Sequence, residues 1–134
     1  MAESIAVNGQ VDFGVNGRYR TLRLLCTADE TDGSFDLAIP DDAMAFIGGW
    51  ILERILTKPG GTAPTDASDL TLTDPEEATA DLLATEGADI IDATSTLITV
   101  LTAPVPLYAA HVLHVANNIV NSAIFEIVLI CRSV

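Results

Sequence analysis

The stretch Asp69-Leu-Thr-Leu-Thr-Asp74 decides the fold class, because apolar and polar residues alternate through it without interruption. Leu70 and Leu72 fall on one side of an extended chain, which is the pattern of a β-strand with one buried face. A polar loop at 60–68 precedes the stretch and Pro75 follows it. We therefore predict a strand over Asp69–Asp74.

Similar short strand signals, separated by turn residues, occupy most of the chain. Asn16-Gly17 is a hairpin signal between two of them, and Pro104 and Pro106 interrupt another. A polar bridge at 117–122 predicts a hairpin between the last two strands. The further strands are predicted over 11–15, 18–26, 35–39, 50–57, 95–101, 107–116 and 123–132.

Helical signals are few. Asp41-Asp42 predicts a cap for one helical turn over 43–47, which Gly48-Gly49 would end. Residues 75–92 fit either a helix after Pro75 or a structured loop with a helical turn, and we prefer the loop. The sequence thus predicts an all-β fold, an antiparallel β-sandwich or small barrel of about seven or eight strands with at most one or two short helical turns. We treat 1–134 as a single β-domain and 1–47 as its N-terminal docking arm or hairpin region.

Charge is the strongest compositional feature, with nineteen acids against six bases and a net charge of −13. Residues 1–28 carry +1 and the remainder carries −14, so the imbalance is uneven. A surface this acidic repels phosphate, and we expect no nucleic-acid partner. The most apolar region, 105–131, is broken by histidines, asparagines and a glutamate, so no membrane span is expected. The start of the chain does not resemble a signal peptide.

Side chains that perform catalysis are scarce. His111 and His114 lie three apart in a predicted strand, where alternation sends them to opposite faces. Cys26 and Cys131 form no metal or redox motif and are interpreted as buried thiols, although a bridge is conceivable if their strands are neighbours. The sequence predicts no enzyme and no cofactor.

Two acidic clusters contain the carboxylates that a calcium site would need. Asp29, Asp32, Gly33 and Asp36 lack the spacing of an EF-hand loop, since the twelfth position is Pro40. The second cluster is spread over a loop and a strand. Both clusters are interpreted as solvated acidic loops, and no metal ligand is assigned. The second cluster consists of Asp66, Asp69, Asp74, Glu76, Glu77 and Asp81.

An interaction surface is the remaining hypothesis. Arg18 and Arg20 are expected on one strand face with Tyr19 between them, and Arg23 follows. Trp50 is the single tryptophan, beside a double glycine, and is interpreted as a core or interface anchor. Arg18, Arg20, Arg23 and Trp50 are the predicted interface residues, facing a negatively charged partner on an otherwise acidic protein.

From Gly48 onward the chain resembles small β-rich virion structural proteins of tailed bacteriophages. The resemblance covers about two thirds of the chain and describes a β-framework without an active site. Pro75-Glu-Glu-Ala departs from it, since a glycine-containing turn is usual there. The phrases that carry it are Gly49-Trp-Ile-Leu-Glu-Arg-Ile-Leu-Thr-Lys-Pro-Gly60, Pro64-Thr-Asp, Ser68-Asp-Leu-Thr-Leu-Thr-Asp74, Asp81-Leu-Leu, Glu86-Gly-Ala-Asp89, Asp92-Ala-Thr, Pro106-Leu-Tyr and Val115-Ala-Asn-Asn118, with a closing strand before Arg132.

The resemblance implies a capsid decoration, or cement, protein located on the virion surface. Such a protein binds the assembled major-capsid shell and is often a homotrimer. Two alternatives remain open from the sequence. One is a phage tail, fibre-adaptor or head–tail structural protein, and the other is a calcium- or carbohydrate-binding β-sandwich module.

Overall fold

A computed structural model describes residues 3–77 and 79–134 and contains two antiparallel sheets. The larger sheet has five strands in the order β1-β2-β8-β4-β6, and the smaller has three in the order β3-β7-β5. The elements are β1 (Ser4–Phe13), β2 (Tyr19–Thr27), β3 (Phe35–Ala38), α1 (Asp41–Ile47), β4 (Ile51–Pro59), β5 (Asp69–Thr73), β6 (Leu97–Pro106), β7 (Val112–Ala116) and β8 (Ile124–Arg132).

The two sheets enclose one hydrophobic core between them. Leu70 and Leu72 of β5 are fully buried, as their alternation predicts. Phe35 of the small sheet meets Phe125 of the large sheet edge-to-face at 5.3 Å between ring centroids. Aliphatic side chains fill the rest of the core, because the sequence supplies few aromatic ones. The predicted all-β class is confirmed, with sandwich-like layering of the two sheets.

The first hairpin is present, but its first strand begins seven residues earlier than predicted and ends two residues earlier. β1 extends from Ser4 to Phe13 and pairs with β2, whereas Val15–Gly17 form a 3₁₀ turn. Gly14 and Asn16 adopt positive φ angles of 85° and 58°, which end the strand and reverse the chain. Residues 1–47 therefore contribute two strands to the main sheet as well as β3 and α1.

A β-bulge in β4 interrupts the regular side-chain alternation of that strand. The register slips between Leu52 and Arg54, so Leu52 and Ile55 both face the core. The extra residue at a bulge shifts the side-chain alternation by one position. Arg54 consequently points to the opposite side from Leu52, although the sequence pattern predicts the same side.

The two prolines do not end β6, which runs to Pro106. β6 lies at the edge of the five-stranded sheet, where one side of the strand needs no ladder hydrogen bonds. Edge strands tolerate proline for this reason. The sequence pattern could not show that this strand occupies an edge.

The last predicted hairpin is wrong. β7 belongs to the small sheet and β8 to the large one, so 117–122 cross between the layers. The buried Asn118 side chain holds this crossing, accepting from Thr65 N and donating to Gly33 O at 2.9 and 2.8 Å. Residues 107–111 also lie outside β7, which begins at Val112.

Two shorter segments complete the fold. α1 begins at Asp41 with Pro40 at the N-cap position, so the predicted aspartates occupy its first turn and do not cap it with a side chain. The described part of 75–92 is a succession of turns without a helix, so the helical turn expected there is not found; its Ala78 lies outside the described residues. Among the residues described, no helix has the length and apolar character needed to span a bilayer.

Candidate interaction surface

The outer face of the five-stranded sheet, turned away from the small sheet, is the surface of interest. Strand alternation places every second residue of these strands on it. Val128 lies at its centre and is 1% exposed, although it belongs to no part of the core between the sheets. Its cross-strand neighbours Arg23 and Leu56 cover it from either side.

Exposed apolar side chains concentrate on this outer face. Among the described residues, eight large hydrophobic side chains are exposed, and five of them belong to the outward positions of β1, β2 and β6. Single exposed hydrophobics are ordinary on proteins, but several on one sheet face mark an interaction surface. The five are Val11, Phe13, Leu25, Ile98 and Val100.

Basic side chains concentrate on the same face. Four of the six bases in the chain occupy outward positions here, against two acids, which gives the face a formal charge of +2. The other seventeen acids and two bases leave −15 for the remainder of the chain. This charge difference between surfaces is not the one along the sequence, because three of these four bases lie within the acidic remainder of the chain. The bases are Arg23, Arg54, Lys58 and Arg132, and the acids are Glu53 and Glu126.

Both acids on the outer face are held in ion pairs. Glu126 accepts from Arg23 at 2.8 Å and from the Asn8 side chain at 3.0 Å. Glu53 lies 3.1 Å from Arg132 and 3.5 Å from Arg54. One carboxylate is thus shared by two guanidinium groups, which leaves a net positive charge at this end of the face.

A groove lies beside that excess positive charge. It has a volume of about 270 Å³ and is lined by Phe13, Tyr19, Glu53, Arg54 and Ile130. The Phe13 and Tyr19 rings stack on each other with centroids 5.2 Å apart. Aromatic rings next to a guanidinium suit an apolar anchor of a partner protein that carries a nearby carboxylate.

The four residues predicted as an interface separate into different environments. Arg20 points away from the outer face, and its guanidinium lies 4.6 Å from the Phe46 ring centroid and 4.4 Å from that of Trp50. It also binds Asp12 at 2.8 Å and donates to the Phe46 carbonyl oxygen. Arg20 and the half-buried Trp50 therefore act as an internal clamp between β2, α1 and the start of β4.

Arg18 and Arg23 are not part of that clamp. Arg18 follows the 3₁₀ turn and precedes β2, so it does not share a strand face with Arg20 as the alternation predicted. Its backbone carbonyl oxygen accepts from Ser133 N at 2.8 Å. Arg23 is the one predicted residue that the structure places on the outer face.

Acidic side chains of the loop between β5 and β6 accept hydrogen bonds from backbone N–H groups. The sequence analysis interpreted these acidic residues as solvated and missed this role. Asp81 accepts from Leu72 N at 3.2 Å and from Leu83 N at 3.0 Å. Glu86 accepts from Thr102 N at 2.9 Å, on the outer edge of β6. Loops without regular hydrogen bonding need such acceptors for their N–H groups. Asp66 and Asp69 serve the loop in the same way, through Ala93 N and Asp89 N.

The first acidic cluster, at 29–36, uses its carboxylates within its own turn. Asp29 accepts from the Thr31 hydroxyl and Asp32 from Ser34 N, at 2.8 and 2.9 Å. This hydrogen bond to Ser34 lowers the pKa of Asp32. Within 3–77 and 79–134, no group of three His, Cys, Asp or Glu side chains lies close enough to hold a metal ion.

The two histidines are separated, as predicted. His111 is buried immediately before β7, and its Nε2 accepts from Tyr108 N at 3.2 Å. Burial lowers the pKa of His111, while Thr73 and Asp74 oppose the shift. His114 borders a cavity of about 440 Å³ on the outside of the small sheet, with Nδ1 3.9 Å from Asp36. The Asp74 carboxylate at this cavity is already occupied by the Tyr108 hydroxyl, which lowers the pKa of Asp74.

Both cysteines are buried free thiols, as predicted. Their strands are neighbours, but Cys26 lies opposite Phe125 while Cys131 lies opposite Arg20. Six strand positions separate the pairs, or about 20 Å at the usual rise per residue. No disulfide can join them. Burial raises the pKa of Cys131 to about 12 and raises that of Cys26 as well.

Comparison of the chain with protein-family models, with curated proteins and with solved structures found no match. The outer-face residues that the sequence analysis missed are Arg54, Lys58 and Arg132 together with the exposed apolar positions. The spacing of Arg54 and Lys58, four apart in one strand, was the available signal. Their grouping with Arg132 depends on strand order, which the pattern does not contain.

Proposed function

We propose that the chain is a capsid decoration protein of a tailed bacteriophage, without catalytic activity, which binds the assembled major-capsid shell through its outer face. The docking surface is proposed because five exposed apolar side chains and four of the six bases lie together on that face. The assignment to a phage virion rests on the sequence resemblance described above.

Charge and hydrophobicity together define the partner surface. Apolar side chains contribute affinity when a partner excludes water from them, and the basic residues favour a partner that presents carboxylates. The acidic remainder of the chain stays in solvent, where its charge discourages non-specific aggregation. A decoration protein stabilises a shell by mass action, since it binds the assembled form and not the free subunit.

The proposed binding is tested by co-sedimentation with purified phage heads and with unassembled major-capsid subunits. We expect many copies to bind each head and none to bind the free subunits. A few copies per particle, located at the tail or the head–tail junction, would support the tail alternative and contradict decoration. No binding to heads or tails would remove the virion assignment.

A matched pair of variants locates the docking surface. Val100→Asp places a carboxylate on the outer face, whereas Ile119→Asp makes the same change at an exposed position in the crossing between β7 and β8. We expect Val100→Asp to abolish head binding and Ile119→Asp to retain it. Equal binding by both variants contradicts the outer face as the docking surface, even if the wild-type protein binds heads.

A further inference from the structure

The two edges of the five-stranded sheet differ in their capacity to accept another strand. An unpaired edge strand presents backbone N–H and C=O groups that pair with any suitable chain, and proteins commonly block such edges. β1 and β6 are the two edges here. Their backbones differ in how much of each edge is blocked.

The β6 edge is blocked along its second half. Pro104 and Pro106 have no N–H group to donate. Thr102 N already donates to the Glu86 carboxylate at 2.9 Å, and Ala103 N lies 3.5 Å from the same group. Four of the last five residues of β6 therefore offer no free N–H group to an incoming strand.

The β1 edge has none of these protections after its bulge. Its register with β2 shifts between Val7 and Gly9, and Gly9–Phe13 then run without interruption to the turn. This segment contains no proline, and its one charged residue, Asp12, is paired with Arg20. In the described part of the chain, no element pairs with the free side of β1.

We propose that β1 pairs with β1 of a second copy of this chain, antiparallel and about a twofold axis at Val11. Val11 then lies opposite Val11 of the second copy, and Gly9 lies opposite Phe13. The phenyl ring then lies over Gly9 beside the Arg23 stem, whose Cδ would be 3.4 Å from a Cβ at that glycine. Gln10 lies opposite Asp12, where its amide donates to the carboxylate oxygen that Arg20 Nε does not use. No like charges face each other.

Charge opposes a second copy least at this edge. Two chains of net charge −13 repel each other over most of their surface, whereas the β1 segment adds almost no repulsion of its own. Pairing joins the two five-stranded sheets edge to edge, so the two outer faces form one larger surface. The pair is a closed twofold dimer, in place of the trimer implied by the resemblance.

Mass measurement tests the dimer on the full chain. Light scattering coupled to gel filtration should give twice the 14.1 kDa of the chain at high concentration, falling towards one chain mass on dilution. Raising the salt concentration should favour the dimer, because screening weakens the repulsion between two acidic chains. A monomer at every concentration, or three times the chain mass, would overturn the proposal.

Paired substitutions test the edge and the register. Val11 and Val100 are 53% and 60% exposed on the two opposite edge strands, so they accept the same changes. Val11→Asp should yield a monomer and Val100→Asp a dimer. Val11→Cys should form an intermolecular disulfide in mild oxidant and Val100→Cys should not, since the native thiols are buried. A dimeric Val11→Asp variant, loss of the dimer in both Asp variants, or no crosslink through residue 11 refutes the β1 contact.

These outcomes are independent of head binding. A Val100→Asp protein that remains dimeric but no longer binds heads supports both proposals. A wild-type dimer that does not bind heads supports β1 pairing alone, and a monomer that binds heads supports decoration alone.

Discussion

Replacing Arg20 by methionine should destabilise the isolated protein, although arginines on a strand are usually dispensable for folding. Methionine keeps an unbranched apolar stem but removes the guanidinium between the Phe46 and Trp50 rings. Each ring contact is worth about 0.5–1 kcal/mol at a partly exposed site. The hydrogen bond to the Phe46 carbonyl adds about 1 kcal/mol and the Asp12 pair a few tenths. We expect a loss of about 2–3 kcal/mol in the free energy of unfolding.

Thermal and urea unfolding, followed by circular dichroism, measure this loss. For 134 residues, 1 kcal/mol lowers Tm by about 3–4 °C, so Arg20→Met should melt roughly 7–11 °C below the wild type. Arg18→Met is the matched control, because Arg18 is exposed and, among the described residues, its guanidinium takes part in none of the hydrogen bonds or ion pairs described above. That variant should change stability by less than about 0.5 kcal/mol.

A double-mutant cycle separates the clamp from general packing. Arg20→Met and Trp50→Leu, alone and together, should show a coupling free energy of about 0.5–1 kcal/mol, since the two side chains are in direct contact. If Arg20→Met has the same Tm as the Arg18→Met control, or if the coupling free energy is zero, the internal clamp is refuted. Arg20 would then return to the set of interface candidates.

Three further predictions concern the folded chain. Gly87→Ala should cost at least about 2 kcal/mol in urea unfolding, because its Cβ would lie 1.8 Å from a backbone oxygen of β5, whereas Gly61→Ala, with open space around it, should be nearly neutral. Burial lowers the pKa of His111, so the folded state binds this proton less readily than the unfolded chain. The free energy of unfolding should therefore be highest above about pH 6.5 and should decrease towards pH 5. The decrease should be smaller in His111→Gln. Cys26 and Cys131 should react with a thiol reagent only in denaturant, and labelling of the native protein would contradict their burial.

Local signals were sufficient to predict most of the elements. The alternation in Asp69–Thr73, the turn at Asn16-Gly17 and the glycines after α1 each act within a few residues, and each predicted element is present. The prediction failed where a partner strand decides the outcome. β6 continues through Pro104 only because it is an edge strand, and β7 and β8 separate because they belong to different layers.

The candidate site was predicted more coarsely than the fold. The uneven charge along the chain pointed to residues 1–28, but of the bases in that segment only Arg23 lies on the outer face. It did not show that Arg20 is held between aromatic rings, or that Arg54, Lys58 and Arg132 share a face with Arg23. The bulge in β4 and the adjacency of β2, β8 and β4 create that face, and neither is encoded in a local pattern.

The most direct test of the proposed function is a cryo-electron microscopy reconstruction of the virion that contains this chain. The proposal predicts density for the chain repeated over the capsid exterior, with the five-stranded sheet against the shell and Val100 and Arg54 at the contact. The acidic loops and the small sheet should face solvent. Density restricted to the tail, or a chain bound to the shell through the small sheet, would contradict the account.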